Sequence, residues 1–338
     1  MGIFDIFKKK VKSTFPENEL EQCLTDAESD VTARKDFYQK LLWNQLYVLT
    51  GDSANAEGNN TDEMYTNIQF VVLQDGKIPV FTSTNRIFDN TVIKEKVPFV
   101  SLKGQDLFEA AKGATFIINP FSNYAKELIP EEIESLMNGT IYDQIEKNEN
   151  QNLKHKEFNE IFERAGKKQK GLIFLDGYKR RSISSSEKLK LEESIEDYKK
   201  CLELFPHHWQ SMVLIAKAYQ RLERHAEALE LLEAAFTIEL ENHTIPMEAA
   251  LEAMHLKNLD KAIFYSTESL KRKPNDFVLM GNHAMNLLIA QKDTDALNTI
   301  AAAIRIQPND SVNRNIESIV RDVIARRRKR PSFEETIQ

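Results

Sequence analysis

Apolar residues recur at helical spacing through the second half of the chain, on a fixed grid. Ala228, Ala262 and Ala296 stand 34 residues apart, as do Ala235, Ser269 and Ala303. Pro206, Pro274 and Pro308 fall on the same grid, with Leu240 where a proline is missing. Small residues repeating at this period predict stacked helix–turn–helix units, none of which can bury its apolar face alone. The first unit is partial, with Ile195, Tyr198, Cys201 and Leu202 on a helix ending at Phe205-Pro206. The second sets Ile215, Ala216 and Tyr219 against Ala228, Leu232 and Ala235. A third spans about His243 to Asp276 and a fourth about Phe277 to Asp310. Ser311 to Arg328 reads as a last helix whose Ile316, Ile319, Val320 and Val323 cap the stack.

The first half mixes periods. Helices are expected over Glu17 to Ala27 and Thr32 to Gln45, followed by a strand at Leu46 to Leu49. Gly51 to Thr66 is nearly devoid of apolar residues and reads as a mobile loop. Asp75-Gly76 between Ile68–Leu73 and Ile78–Thr82 predicts a β-hairpin, with Pro79 marking an edge strand. A strand at Val97 to Leu102, a helix at Lys103 to Ala111 and a core strand at Ala114 to Asn119 follow. Pro130 opens a helix that Gly139 ends. Thr140 to Lys170 is polar, with one helical stretch at Phe158, Ile161 and Phe162. Leu172 to Leu175 suits a short strand or the start of the next unit, and Lys179 to Ser186 an exposed, mobile turn. The expected division is an N-terminal segment (1–16), an α/β domain (17–139), a partly helical polar linker (140–186), a repeat domain with its capping helix (187–330) and a tail (331–338).

Two resemblances follow from these residues. Ile78-Pro79-Val80-Phe81-Thr82-Ser83, Leu102-Lys103-Gly104-Gln105-Asp106-Leu107, Ile118-Asn119-Pro120 and Leu128-Ile129-Pro130-Glu131-Glu132-Ile133 resemble the N-terminal domain of the SseB (enhanced serine sensitivity) family, over roughly Leu20 to Asn138. That resemblance implies a bacterial α/β domain and brings no catalytic residues with it. The 34-residue units resemble tetratricopeptide repeats. The expected fold is thus an α+β or α/β SseB-like domain followed by an all-α tetratricopeptide-repeat solenoid.

Composition narrows the function little. Of 338 residues, 41% are hydrophobic and 29% charged, and the net charge of −7 argues against nucleic acid as the main partner. No apolar run is long enough to span a bilayer, and Met1 to Lys12 has the wrong order of charge and apolarity for a signal peptide. That stretch suits a docked terminal helix better than a membrane-surface segment, and Ile6 disfavours myristoylation of Gly2. Cys23 and Cys201 read as buried thiols, pointing to a reducing cytoplasm.

Chemistry is hard to find. The seven histidines and two cysteines form no His-Glu-x-x-His or Cys-x-x-Cys spacing, and phosphate-cradling glycine loops and Gly-x-Ser-x-Gly elbows are absent. No metal, cofactor or catalytic residue is therefore expected. Thr82-Ser83-Thr84 reads as capping hydroxyls. The pairs Asp106 with Glu109 and Glu131 with Glu132 read as solvated helix faces. A cleft joining Thr82, Asn119 and Asp106 would revive an enzyme reading. Arg326 to Arg330 is basic but lacks interleaved aromatics, which disfavours nucleic-acid binding.

The resemblance to tetratricopeptide repeats implies a concave groove lined by the first helix of each unit. Its candidate partner-binding residues are Lys217, Gln220 and Arg221, then Met247, Leu251, Met254 and His255, then Met285 and Leu288. Val213, Met247 and Gly281 stand where a carboxylate clamp would need polar groups. The groove runs from basic and polar to apolar and methionine-rich, suiting a helix or extended peptide unless the chain covers it itself. The expected function is a non-enzymatic protein–protein interaction adaptor in the cytoplasm, with no nucleic acid, no stable membrane insertion and self-association left open. Its rivals are an immunity or secretion-accessory protein masking a toxin or effector, and a hydrolase-type enzyme in the first domain.

Overall fold

The computed structural model describes residues 15–30, 32–51, 69–174 and 182–336. Met1 to Lys12, nearly all of the Gly51 to Thr66 loop, Ile68, Leu175 and Lys179 to Arg181 lie outside them. The chain divides into two compact units, Met1–Leu153 and Lys154–Gln338. No helix among the described residues is long and apolar enough to cross a membrane.

The first unit packs helices on a five-stranded mixed sheet. Helices α1 (Glu19–Ser29) and α2 (Ala33–Trp43) precede strand β1 (Gln45–Leu49). Strand β2 (Ile78–Phe81) leads through a 3-10 turn (Thr84–Thr91) to β3 (Phe99–Lys103) and α3 (Gly104–Ala110). Strands β4 (Phe116–Ile118) and β5 (Lys126–Leu128) and helix α4 (Pro130–Met137) complete it. The strand order is β3-β1-β2-β4-β5, antiparallel except for the parallel β2–β4 pair. Leu46 and Val48 of β1, Val80 of β2, and Phe116 and Ile118 of β4 reach the core, where Phe37 and Leu41 of α2 meet them. Gly104 is needed where α3 starts. A Cβ there would stand 1.9 Å from the Leu41 carbonyl oxygen.

The predicted hairpin does not form as a paired ladder, and Pro79 is not at an edge. Strand β2 is the central strand, with β1 on one side and β4 on the other, so residues 69–73 have no free edge of β2 to pair with. They run beside the end of β1 instead, where Phe70 bridges Thr50. Only the turn survives, closed by Leu73 N–H donating to the Lys77 carbonyl at 2.9 Å. The β1–β2 ladder pairs Tyr47 with Phe81 and Val48 with Val80. One step further Leu49 would face Pro79, which has no N–H to give. The Leu49 carbonyl accepts from Val71 N–H at 2.9 Å instead. A proline is tolerated in the middle of this sheet because its missing donor falls where the ladder already stops.

Helix α5 (Thr140–Gln169) occupies most of the stretch expected as polar linker. It contains no proline, and its apolar residues cluster at two ends. Ile141 and Ile145 join the first unit's core, while Phe158, Ile161 and Ala165 recur at helical spacing in the second. There they face Leu191, Ile195, Tyr198 and Cys201 of α6 (Ser185–Leu204), so the partial first repeat has a partner helix after all.

Three helix pairs follow: α7 (Trp209–Arg221) with α8 (His225–Ile238), α9 (Thr244–His255) with α10 (Leu259–Arg272), and α11 (Phe277–Ile289) with α12 (Asp293–Ile306). Helix α13 (Ser311–Ile324) caps the stack with Ile316, Val320 and Val323 buried. Every small residue of the 34-residue grid is buried. The turns repeat as faithfully as the side chains. Glu223, Lys257 and Gln291 have φ of 61°, 58° and 63°. The residue after each, Arg224, Asn258 and Lys292, donates its N–H to the carbonyl of Tyr219, Ala253 or Leu287 at 2.8 to 2.9 Å. These are Schellman caps, which usually place glycine in the left-handed position. Where Leu240 replaces the grid proline, Arg272 donates to the Glu239 and Asn242 carbonyls at 2.9 Å and ties that loop down.

Asp197 of α6 joins the second half of α5 by accepting from Arg164 at 2.8 and 3.0 Å and from Lys168 at 2.9 Å. The Arg164 hydrogen bond above all holds its carboxyl down at about 2, against an ordinary 3.8. A depressed acid stabilises the fold above its unfolded value and loses that contribution as pH falls through its folded one. Asp197→Asn is therefore expected to cost about 2 kcal/mol at neutral pH. The deficit should shrink from about pH 4 towards pH 2, as read by urea unfolding of Trp209 fluorescence in a Trp43→Phe background. Gln291→Gly should raise stability by about 0.5–1 kcal/mol by relieving the left-handed backbone, which the same urea midpoints will check.

Candidate functional site

Among the described residues, each unit buries a polar constellation. In the first, Glu21 of α1 accepts from Arg86 Nε and a second guanidinium nitrogen, both at 2.8 Å, and from Thr82 Oγ1 at 2.6 Å. Glu17 N–H donates to it as well, at 2.6 Å. Asn119 Nδ2 donates to Thr82 Oγ1 at 2.9 Å, and Asn119 Oδ1 accepts from Thr82 N–H at 3.0 Å. Phe15 covers the Arg86 guanidinium at 4.6 Å. Thr82 and Asn119 do come together, but Asp106 is not among their partners. Thr82 is also no simple cap, since it follows the central strand and its hydroxyl faces a buried carboxylate. Burial alone would raise Glu21, but the hydrogen bonds from Arg86, Thr82 and Glu17 hold it below its ordinary value. An ionised carboxylate with this many donors is poorly placed to accept a substrate's proton. The arrangement ties α1 to the ends of β2 and β4.

The second constellation lies on the inner faces of α7 and α9. Lys217 and Glu248 form an ion pair of 2.8 Å in which both side chains are only 1% exposed. Gln220 Nε2 donates to Glu248 at 3.1 Å and to Glu252 at 2.7 Å. Glu252 also meets His225 Nδ1 at 2.7 Å, and the His225 and His255 rings stack at 3.9 Å and 8°. Burial pushes the Glu248 carboxyl up, and Lys217 and Gln220 pull it back.

His225, Glu252 and His255 bring three donor atoms within 4.8 Å of one another, a grouping the sequence spacing did not reveal. An imidazole holds a metal in its own ring plane. Two stacked, nearly parallel rings share no such point, so one ring would have to turn before both could bind one ion.

Each sequence-derived groove residue can now be placed. Lys217, Gln220 and Arg221 are buried, not offered to solvent. The expected basic, steering end of the groove is corrected on this ground: Lys217 neutralises Glu248, and Arg221 Nε donates to the Leu172 carbonyl at 2.9 Å. Gln169 Nε2 reaches the Leu214 carbonyl at 3.0 Å, so residues 169–174 lie against α7. Gly281 is buried, and a Cβ on it would meet Asn313 Oδ1 of α13 at 2.1 Å. Met254 and Leu288 are also buried, whereas Met247, Leu251, His255 and Met285 are half-buried. Met247, Leu251, Met254 and Met285 line one cavity of about 800 Å³, together with Ile316 of α13 and Phe333 of the tail.

Sequence reasoning missed Glu248, Glu252 and Phe333. A signal for the first exists. The 34-residue grid maps Lys217 onto Leu251, and Glu248 lies one helical turn before it, where stacked first helices bring the two sides together.

A buried ion pair costs most when one partner is removed alone. Lys217→Met is expected to destabilise the second unit by about 3 kcal/mol. Adding Glu248→Leu should recover most of the loss, measured by urea unfolding of the single and double variants.

Residues 20–135 match the family model of the SseB protein N-terminal domain, and residues 210–242 match that of the tetratricopeptide repeat. No curated protein matches the chain. Among solved structures it is similar to YrrB, a TPR protein with an unusual peptide-binding site, at 20% identity over 43% of this chain and 74% of that one, with a TM-score of 0.38. It is similar to MamA at 12% identity over 43% and 87%, with a TM-score of 0.39. A tetratricopeptide repeat protein from Parabacteroides merdae ATCC 43184 shares 16% identity over 51% of this chain and 61% of its own, with a TM-score of 0.43. By its family matches and its helix pairs, the chain carries an SseB-type N-terminal domain followed by a helical solenoid of tetratricopeptide repeats.

Proposed function

We propose that the chain is a non-enzymatic, cytoplasmic adaptor that binds a protein segment on the concave face of its repeats. The observation that supports this most is the cavity of about 800 Å³ lined by Met247, Leu251, Met254 and Met285. Methionine fits irregular apolar ligands, and a row of such anchors along stacked helices suits a short helix or an extended peptide. Leu251 and Met285 are half-buried and available, so they are the contacts of choice, with His255 at the rim and Leu288 behind them as packing. Lys217, Gln220 and Arg221 hold the floor rigid and do not meet the ligand. A protein partner is favoured over nucleic acid because two arginines of the basic cluster are engaged at home. Arg327 binds Asp322 at 2.7 and 2.9 Å and Arg330 binds Asp293 at 2.6 and 3.0 Å.

The test is affinity capture from the native cell with mass spectrometry, comparing the wild-type chain with Leu251→Glu/Met285→Glu. The double variant should lose the captured partner by tenfold or more, as expected when central apolar anchors are charged, while circular dichroism stays helical. Equal recovery by both chains would reject the reading.

A further inference from the structure

We propose that residues 331–336 are a built-in occupant of the concave groove, displaced by a partner segment of the same chemistry: an aromatic side chain followed by acidic residues. The proposal rests on the groove reading above and gives it a ligand class and a gate.

The chain is turned back into the groove by the basic cluster. Arg326 ends α13 with φ of 58°, and Arg327 N–H donates to the Asp322 carbonyl at 2.8 Å. Arg330 then clamps Asp293 at the start of α12 through both guanidinium nitrogens and also donates to the Leu288 carbonyl. Pro331 is buried beyond this clamp. Phe333, opening the short helix α14 (Phe333–Thr336), sets its ring edge-on to His255 at 4.8 Å. Ser332 and Glu335 cap that turn reciprocally, with Ser332 N–H donating to Glu335 at 2.7 Å. Lys257, at the end of the groove's middle helix, faces Glu334 at 3.7 Å.

Phe333 packs on the edge of the repeat core, and three features make the segment that carries it displaceable. Helix α13 closes the stack by itself, so the tail can leave without uncapping the repeats. The Lys257–Glu334 pair is exposed, with side chains 80% and 50% accessible, and holds weakly. The segment also leaves the 800 Å³ cavity beside Leu251 and Met285 partly unfilled, so a longer ligand starting from the same aromatic anchor would bury more apolar surface. A single aromatic anchor with acidic residues after it is what the groove accepts from its own chain, and it defines what a competitor must present.

The experiment uses the whole 338-residue chain and a fluorescein-labelled peptide of residues Lys329–Thr336. Phe333→Ala and, separately, Arg330→Ala should release the tail by different means. Both variants are expected to bind the peptide at least tenfold more tightly than the wild-type chain in fluorescence anisotropy. A peptide with alanine in place of its phenylalanine should not bind, and adding Leu251→Glu to either released variant should abolish binding. Equal binding by wild-type and released chains, or binding by none, overturns the proposal. So does a wild-type dimer in solution that dissociates on Phe333→Ala, since the groove would then hold a second copy's tail. Failure of the peptide with success of the partner capture sinks the tail alone. Tail binding with no captured partner sinks the adaptor reading instead.

Discussion

Close approach between helices at small side chains is the constraint on which the second unit depends. Ala228, Ala262 and Ala296, with Ala235, Ser269 and Ala303, sit fully enclosed where paired helices touch. Interiors are packed too densely to take a larger group at such points without separating the helices. Because each pair is joined by the same Schellman-capped turn, the error made by a wrong side chain would be carried into the next unit. That coupling of contact to turn is why the period is strict in the helical pairs and loosens only at Leu240, where Arg272 supplies the tie that proline does not.

A stack of this kind always creates an inner face, and the inner face must be dealt with. Here the solution changes along the stack. At α7 the chain covers itself with residues 169–174 and fills the floor with a charge-paired network running from Lys217 to His225. Towards α11 and α13 the floor is apolar and adaptable, and residues 331–336 lie over it, with Phe333 against His255 and Glu334 facing Lys257. The rigid end and the lightly covered end follow from one requirement: large apolar surface is seldom left in water.

The first unit solves a different problem. Its central strand carries a proline, which has no N–H for a ladder, and is followed by a threonine whose hydroxyl is buried. The proline is harmless because β1 diverges to Val71 at that point. Thr82 is held because its hydroxyl completes the Glu21 and Asn119 network. Buried polar groups survive when each has partners, and here those partners come from α1, β2, β4 and the 3-10 turn between β2 and β3.

Local signals in the sequence determined the repeat period, the helical pairs, the capping helix and most elements of the first unit, because each depends on spacing, caps and turn residues a few positions apart. The strand neighbours of β2, the engagement of α5 with α6 and the burial of Lys217 were decided only by tertiary structure. A strand's two edges, a helix's partner and a lysine's counter-ion lie tens of residues away, and nothing local says which competitor reaches them first. The same reason hid the tail. Phe333 in a polar terminal stretch has no periodicity to announce it, and only the turn at Arg326 and the Arg330 clamp bring it to the groove. The 34-residue grid put Met247, Leu251, Met254 and Met285 on the first helices of their units; only long-range contacts brought Ile316 and Phe333 to the same cavity.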